Sequence, residues 1–203
     1  EGFKSGGFTQ RVFPPIVPPF TAPPGTPDLD LIPTFEPEFA DVYELGFKST
    51  LLDGRVRLNG AIFHTDYEDL QVQVFNSVAP VTENIGSADI DGLELELQAS
   101  PGAGWLVDAT FAWLDAHYDQ IDTGLTLIGE NFAFERVPEY SGSLGLSKEF
   151  GLNEWGTVVV RGDASYRDDT YNDAYNTPLL KTDAYTLVDA RVRWTNAEEN
   201  LSV

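Results

Sequence analysis

The chain has 203 residues, 42% of them hydrophobic, with 33 Asp and Glu against 12 Lys and Arg for a formal net charge of −21 at pH 7. So acidic a chain carries no concentrated Lys and Arg to neutralise phosphates, which excludes nucleic acid as a partner. It contains no cysteine, which removes disulfide scaffolds, thiolate metal sites and thiol nucleophiles together, and no apolar run reaches the ~20 residues of a membrane-spanning helix.

The first predicted strand runs from Gly2 to Gln10. Nine of the 13 prolines then fall between Pro14 and Pro37, where ladder hydrogen bonding would be interrupted repeatedly, so Arg11 to Glu38 reads as a loop. In the second strand, Phe39 to Leu52, Tyr43, Leu45, Phe47 and Leu51 oppose Glu44, Lys48 and Thr50. Asp53-Gly54 is a tight turn into the third, Arg55 to Phe75, whose even positions Val56, Leu58, Ile62, Leu70, Val72 and Val74 are apolar. Its length would carry it past a membrane into a projecting loop, followed by a long polar connection from Asn76 to Ala88.

The fourth strand, Asp89 to Ser100, alternates most strictly: Leu93, Leu95, Leu97 and Ala99 against Glu94, Glu96 and Gln98. Pro101-Gly-Ala-Gly104 turns into the fifth, Trp105 to Asp119, and a long segment from Gln120 to Glu139 leads to the sixth, Tyr140 to Phe150. Gly151 to Gly156 is another short turn. In the seventh, Thr157 to Tyr166, Val158, Val160, Gly162, Ala164 and Tyr166 oppose Arg161, Asp163 and Ser165. After a loop from Arg167 to Asp183, the eighth, Ala184 to Trp194, sets Val188, Ala190, Val192 and Trp194 against Asp189, Arg191 and Arg193. The last residues, Asn200 to Val203, look like a strand beginning, and the start lacks a signal segment, so the chain is read as an internal piece of a longer protein.

In an antiparallel meander alternate connections share an end, so the short turns gather at one end and the long loops at the other. Outer-membrane barrels are built that way, with apolar residues toward lipid and polar residues toward the lumen. The fold expected is therefore all-β, an antiparallel transmembrane β-barrel of the outer-membrane type. Glu44, Lys48, Arg57, Glu94, Glu96, Asp108, Arg161, Asp163, Asp189, Arg191 and Arg193 are the expected lumen-facing set. Tyr43, Tyr67, Trp105, Trp113, Tyr118, Tyr166, Tyr185 and Trp194 sit near strand ends and suit aromatic girdles at the membrane interfaces. Two rivals remain open: a small, complete eight-strand barrel with a structural or adhesive role, and a soluble carbohydrate-binding β-protein.

Several short motifs, in order, resemble the C-terminal barrel of TonB-dependent outer-membrane receptors. They are Gly2-Phe-Lys-Ser-Gly-Gly-Phe8; Phe35-Glu-Pro-Glu38 before Tyr43-Glu-Leu-Gly-Phe-Lys48; Leu58-Asn-Gly-Ala-Ile-Phe-His-Thr-Asp-Tyr67; Asn84-Ile-Gly86 before Asp91-Gly-Leu-Glu94; and Val137-Pro-Glu-Tyr140 before Leu144-Gly-Leu146. The resemblance implies that residues 1–203 supply about eight strands of a barrel of about 22, without its plug domain and final strand. It also implies import of an iron-siderophore or similar scarce nutrient, energised by the TonB–ExbB–ExbD system through a plug and TonB box outside this sequence. Outer-membrane lipid and lipopolysaccharide would surround it.

Paired carboxylates such as Glu94 and Glu96 are also what a hydrated barrel interior contains, and no nucleophile-elbow, phosphate-loop or zinc-protease motif accompanies them, so no catalytic residue is assigned. Asp115, His117, Asp119 and Asp122 invite a metal reading, yet a solvated strand end accounts for them, and neither a metal nor another cofactor is expected. The acidic run Arg167 to Asp173 reads as an ordinary surface loop. Ligand contact is sought in the long loops, where Phe132, Phe134 and Arg136, or Tyr171 and Tyr175, could stack on a planar ligand and hold its charge.

Overall fold

A computed structural model describes residues 1–8, 34–76, 79–121 and 128–203. Among the described residues fourteen strands form: β1 Gly2–Lys4, β2 Gly7–Phe8, β3 Thr34–Phe35, β4 Glu38–Leu51, β5 Val56–Glu68, β6 Gln71–Asn76, β7 Ala79–Asn84, β8 Gly86–Gly102, β9 Trp105–Ile121, β10 Tyr140–Gly151, β11 Thr157–Arg167, β12 Thr170–Tyr171, β13 Lys181–Thr182 and β14 Tyr185–Thr195. Eight of them make one antiparallel sheet in the order β1-β4-β5-β8-β9-β10-β11-β14, an up-and-down meander. The remaining six form three two-stranded hairpins, β2–β3, β6–β7 and β12–β13. β1 and β14 lie at the two edges and do not pair with each other, so these eight strands are not the small closed barrel.

Short connections gather at one end. At Ala103–Gly104 both residues have positive φ, 52° and 77°, the twist that a two-residue hairpin needs to match its strands. Between β4 and β5, Leu52, Asp53 and Gly54 are all left-handed, and Arg55 N–H donates to Leu52 C=O at 3.1 Å. The turn between β10 and β11 holds a 3-10 helix, Asn153–Trp155. Beyond β14 the chain turns once more: Ser202 bridges Thr195, and Trp194 and Val203 exchange backbone hydrogen bonds of 2.8 and 3.0 Å.

Two segments depart from the sequence-based expectation. The long third strand is not continuous: Asp69 takes a φ of 54°, and the chain leaves the sheet to form the β6–β7 hairpin. Much of the connection expected between Asn76 and Ala88 is therefore strand, since β7 pairs with β6 and β8 begins at Gly86. The first strand is likewise shorter, broken between Lys4 and Gly7; Thr9, Gln10 and most of the proline-rich segment lie outside the described residues.

The long β8 and β9 pair far past their apolar portions, with a register shift between Ser87 and Ala88. There the three described long connections meet in a small apolar core of Leu70, Val81, Ile85, Ala88, Tyr118, Ile128 and Ala174, against which Tyr67, Val72, Ile121, Phe132, Phe134 and Tyr175 pack. Ile85 and Ile128 are essentially fully buried. Among the described residues no second sheet packs on the eight-stranded one, so the buried side chains gather at the loop end.

Candidate functional site

Register assigns the faces, because directly paired residues in antiparallel strands project to the same side. One polar row runs Arg57, Gln98, Asp108, Gly145, Asp163, Asp189, and the next runs Lys48, Asn59, Glu96, Thr110, Ser143, Ser165. Glu44 and Glu94 lie on that side, as do Arg161, opposite Arg191, and Arg193, opposite Val159. All eleven charged residues singled out in the sequence thus share one face. The other face presents Leu45, Phe47, Leu58, Ile62, Leu93, Leu95, Leu97, Phe111, Leu144, Leu146, Val158, Val160, Val188 and Val192.

The polar face is organised around Arg161. Its Nη1 lies 2.7 Å from Asp108 Oδ1, its Nη2 2.7 Å from Asp108 Oδ2, and its Nε donates to Asp163 at 2.8 Å. A fork-to-fork contact of this kind fixes orientation as well as charge. To reach Asp108 on β9 from β11, the side chain must cross β10, and it does so over Gly145, where an added Cβ would collide with Arg161 Nη2 and Asp108 Oδ2. Gly145→Ala is therefore expected to break the Asp108 pair and lower the thermal unfolding midpoint of the protein. The neighbouring Gly162→Ala, where a Cβ meets open space, should leave it nearly unchanged. Asp108, Arg161 and Asp163 were legible in the sequence as polar-face residues, but the crossing over Gly145 was not; the signal is a glycine in a row of charges one strand away on each side.

The apolar face ends in aromatic bands. Tyr43, Trp113, Tyr140 and Tyr166 lie toward the long loops, and Trp105, Phe150 and Trp194 toward the short turns. Tyr67, Tyr118 and Tyr185 do not belong to them: each has the opposite parity, Tyr67 and Tyr118 pack in the loop core, and Tyr185 pairs with Arg167. Lys148, not singled out in the sequence, occupies the lower band with its Nζ 5.2 Å from the Trp105 ring and 5.5 Å from Phe150, and it donates to Ala103 C=O. Its stem lies along apolar surface while its ammonium reaches the polar turn.

At the upper rim, the sequence-derived metal group does not assemble. Asp115 pairs in register with Asp91, His117 Nε2 lies 3.8 Å from Asp89, and Asp122 is outside the described residues. The structure gathers His64, Asp66 and Asp89 instead, with ligand-capable atoms within 4.8 Å of one another. Both ring nitrogens of His64 are engaged, Nδ1 with Asp91 at 2.9 Å and Nε2 with Asp66 at 2.8 Å. That arrangement suits an imidazolium held between carboxylates.

The loop end is held by side-chain amides. Gln71 Nε2 donates to the carbonyls of Ser5 and Glu36, and Asn84 Nδ2 to those of Glu36 and Asp69, tying the β6–β7 hairpin to the start of the sheet. Ala133 and Asn176 exchange two hydrogen bonds of 2.7 and 2.8 Å, joining the last two long connections. Of the residues considered for ligand contact, Phe132, Phe134 and Tyr175 pack against the loop core, and Phe134 stacks on Tyr118 at 4.3 Å with 17° between planes. Arg136 is exposed with a φ of 61°, and Tyr171 lies under Lys181 Nζ at 5.5 Å, itself paired with Asp169 at 2.8 Å.

Within the β6–β7 hairpin, Glu83 has a buried Oε2 with no hydrogen-bond partner among the described residues, and burial pushes its carboxyl above the usual range. A group that binds its proton more tightly when folded adds stability below its unfolded pKa and loses it as pH rises through the folded value. Glu83→Gln is thus expected to slow hydrogen exchange of the hairpin amides at neutral pH. The difference should vanish in acid below about pH 4.

The sequence matches the family described as TonB dependent receptor-like, beta-barrel, over residues 1–203. It is 28% identical over 180 residues, 83% of this chain, to the probable TonB-dependent siderophore receptor PiuA of Acinetobacter baumannii, of which it spans 22%. Among solved structures, the ferric yersiniabactin uptake receptor FyuA of Yersinia pestis superposes with a TM-score of 0.70 at 23% identity, covering 97% of this chain and 26% of that one. The PiuA structure gives 0.65 at 26% identity, covering 83% and 24%. The chain therefore spans about a quarter of the length of these relatives. The family match over residues 1–203, together with an eight-strand meander with one apolar face, aromatic bands and the described long connections at one end, leads to one assignment: the chain belongs to the TonB-dependent receptor β-barrel family of the outer membrane of Gram-negative bacteria.

Proposed function

We propose that this chain is part of the barrel of a receptor that imports an iron-siderophore or similar scarce nutrient complex across the outer membrane with TonB energy coupling. The observation that carries the reading is the segregation of charge by register: eleven charged residues share one face, opposite a band of Leu, Val and Phe bounded by aromatics. A sheet with those faces separates lipid from a hydrated lumen. The polar set from Glu44 to Arg193 then lines the lumen, around a plug domain supplied by the rest of the receptor, and lipopolysaccharide surrounds the upper rim. The relatives named as siderophore receptors support the ligand class.

Ligand contact falls to the loop end. Arg136 is exposed there and Tyr171 half-buried, while Phe132, Phe134 and Tyr175 pack against the loop core. Coupling would run through the plug to TonB–ExbB–ExbD. The test is uptake of radiolabelled ferric siderophore by cells carrying or lacking the full-length receptor, with and without a functional TonB system. Uptake that needs both is the expected result; binding and uptake indifferent to the receptor would sink the reading.

A further inference from the structure

We propose that His64, Asp66 and Asp89 form a binding site for a divalent cation of the Zn²⁺ kind, on the outer side of the sheet at the upper edge of the aromatic band. Register builds the site. Asp66 on β5 stands opposite Asp41 and Asp89, and Asp89 on β8 stands opposite His117. One row nearer the membrane, His64 lies between Tyr43 and Asp91. Both rows keep the parity of Ile62 and Leu93, so they continue the apolar face beyond its lipid-facing band. β5 and β8 lie inside the sheet between β4 and β9, so the strands on either side of the site are present. The three ligand-capable atoms, one ring nitrogen and two carboxylate oxygens, lie within 4.8 Å of one another. Tetrahedral donors sharing one zinc stand about 3.4 Å apart, a spacing these half-exposed side chains reach by rotation alone.

The orientation of His64 distinguishes this set from a merely acidic patch. Asp91 holds Nδ1 at 2.9 Å, which turns Nε2 toward Asp66 at 2.8 Å. Metal-ligating histidines are held in that way, by a carboxylate on the ring nitrogen away from the ion. The Tyr43 ring flanks the imidazole at 6.5 Å with 27° between planes. Asp89 is held in turn by His117, whose Nε2 lies 3.8 Å away. Asp66 and Asp89 face each other as like charges across a strand pair, which is unfavourable unless a cation sits between them, and neither pairs with Lys or Arg among the described residues. In the metal-free protein the proton on Nε2 supplies that charge. A dication takes its place, Asp91 keeps the proton on Nδ1, and one proton leaves to solvent. An imidazole in the donor set selects Zn²⁺ over Ca²⁺ and Mg²⁺, which prefer oxygen alone. Bound metal ties β5 to β8 three residues before the chain leaves the sheet at Asp69.

The test titrates Zn²⁺ into the intact, metal-stripped receptor in lipid vesicles, by calorimetry at about pH 6 in buffers of different ionisation enthalpy. About one proton released per ion bound is expected at this site, and the zinc X-ray absorption spectrum should show imidazole nitrogen at about 2.0 Å. His64→Gln should weaken binding tenfold or more and remove one imidazole from the spectrum. Asp91→Asn should weaken it about tenfold while keeping that imidazole. Asp66→Asn and Asp89→Asn, each checked for assembly by heat-modifiable gel mobility, should also weaken binding, so a folding failure in one variant does not decide the matter. Zinc binding unchanged in assembled His64→Gln overturns the proposal. So does equal displacement of Zn²⁺ by Ca²⁺, the behaviour of an exposed acidic surface. Neither outcome depends on which nutrient the receptor imports.

Discussion

Arginine in place of Leu144 is expected to destabilise the assembled barrel by about 2–4 kcal/mol, the cost of a guanidinium near the middle of the lipid-facing band. Leu144 lies on β10 between Tyr140 and Phe150, pairs with Ala109 and Ala164, and is 53% exposed on the apolar face. The control is Ser165→Arg on β11, whose partners Ser143 and Leu187 lie on the polar face. There the change should cost no more than about 0.5 kcal/mol. Denaturant unfolding of the full-length receptor in lipid vesicles, read alongside its heat-modifiable gel mobility, measures both. Equal costs at the two sites would mean that the faces are wrongly assigned, and a larger cost at Ser165 would invert them.

That assignment was open to sequence reading because alternation has period two: once Leu93, Leu95 and Leu97 are placed outward, Glu94 and Glu96 follow, and pairing carries the parity from strand to strand. The same rule separates Tyr118 from Trp113, five residues apart on β9 and therefore on opposite sides. Position near a strand end suggested a girdle for both; parity alone would have removed Tyr118, Tyr67 and Tyr185. The β6–β7 hairpin was hidden for a different reason. Leu70, Val72 and Val74 continue the even-position pattern of β5, so periodicity carries no trace of the left-handed Asp69 that breaks it. Longer-range features were also illegible. Nothing local in Gly145 announces that Arg161 crosses it, and the amides of Gln71 and Asn84 find their carbonyls through contacts far apart along the chain. Loop aromatics read as ligand contacts because sequence cannot distinguish a ring that meets a solute from one that meets another loop.

Ile85→Ala is expected to loosen the loop end without unfolding the sheet, and it separates those two roles for the aromatics. Ile85 is fully buried among Leu70, Val81, Ala88 and Tyr118, and its backbone N–H donates to Leu70 C=O at 3.0 Å. Truncating such a side chain removes transfer energy and leaves a cavity, a cost of about 2–5 kcal/mol. Only the loop-end tips of β8 and β9, at Ala88 and Tyr118, carry the eight-stranded ladder into this core, so the loss falls on local opening, and amides of β6 and β7 should exchange about 30-fold faster or more. Phe134→Ala, which removes the ring stacked on Tyr118, should act in the same direction. Arg136→Gln, at an exposed position, should leave exchange unchanged and weaken ligand binding directly. If all three substitutions reduce uptake but only Ile85→Ala and Phe134→Ala accelerate exchange, the core is the scaffold and Arg136 the contact. Accelerated exchange in Arg136→Gln would instead assign the arginine to the scaffold and move the search for ligand contacts to Tyr171.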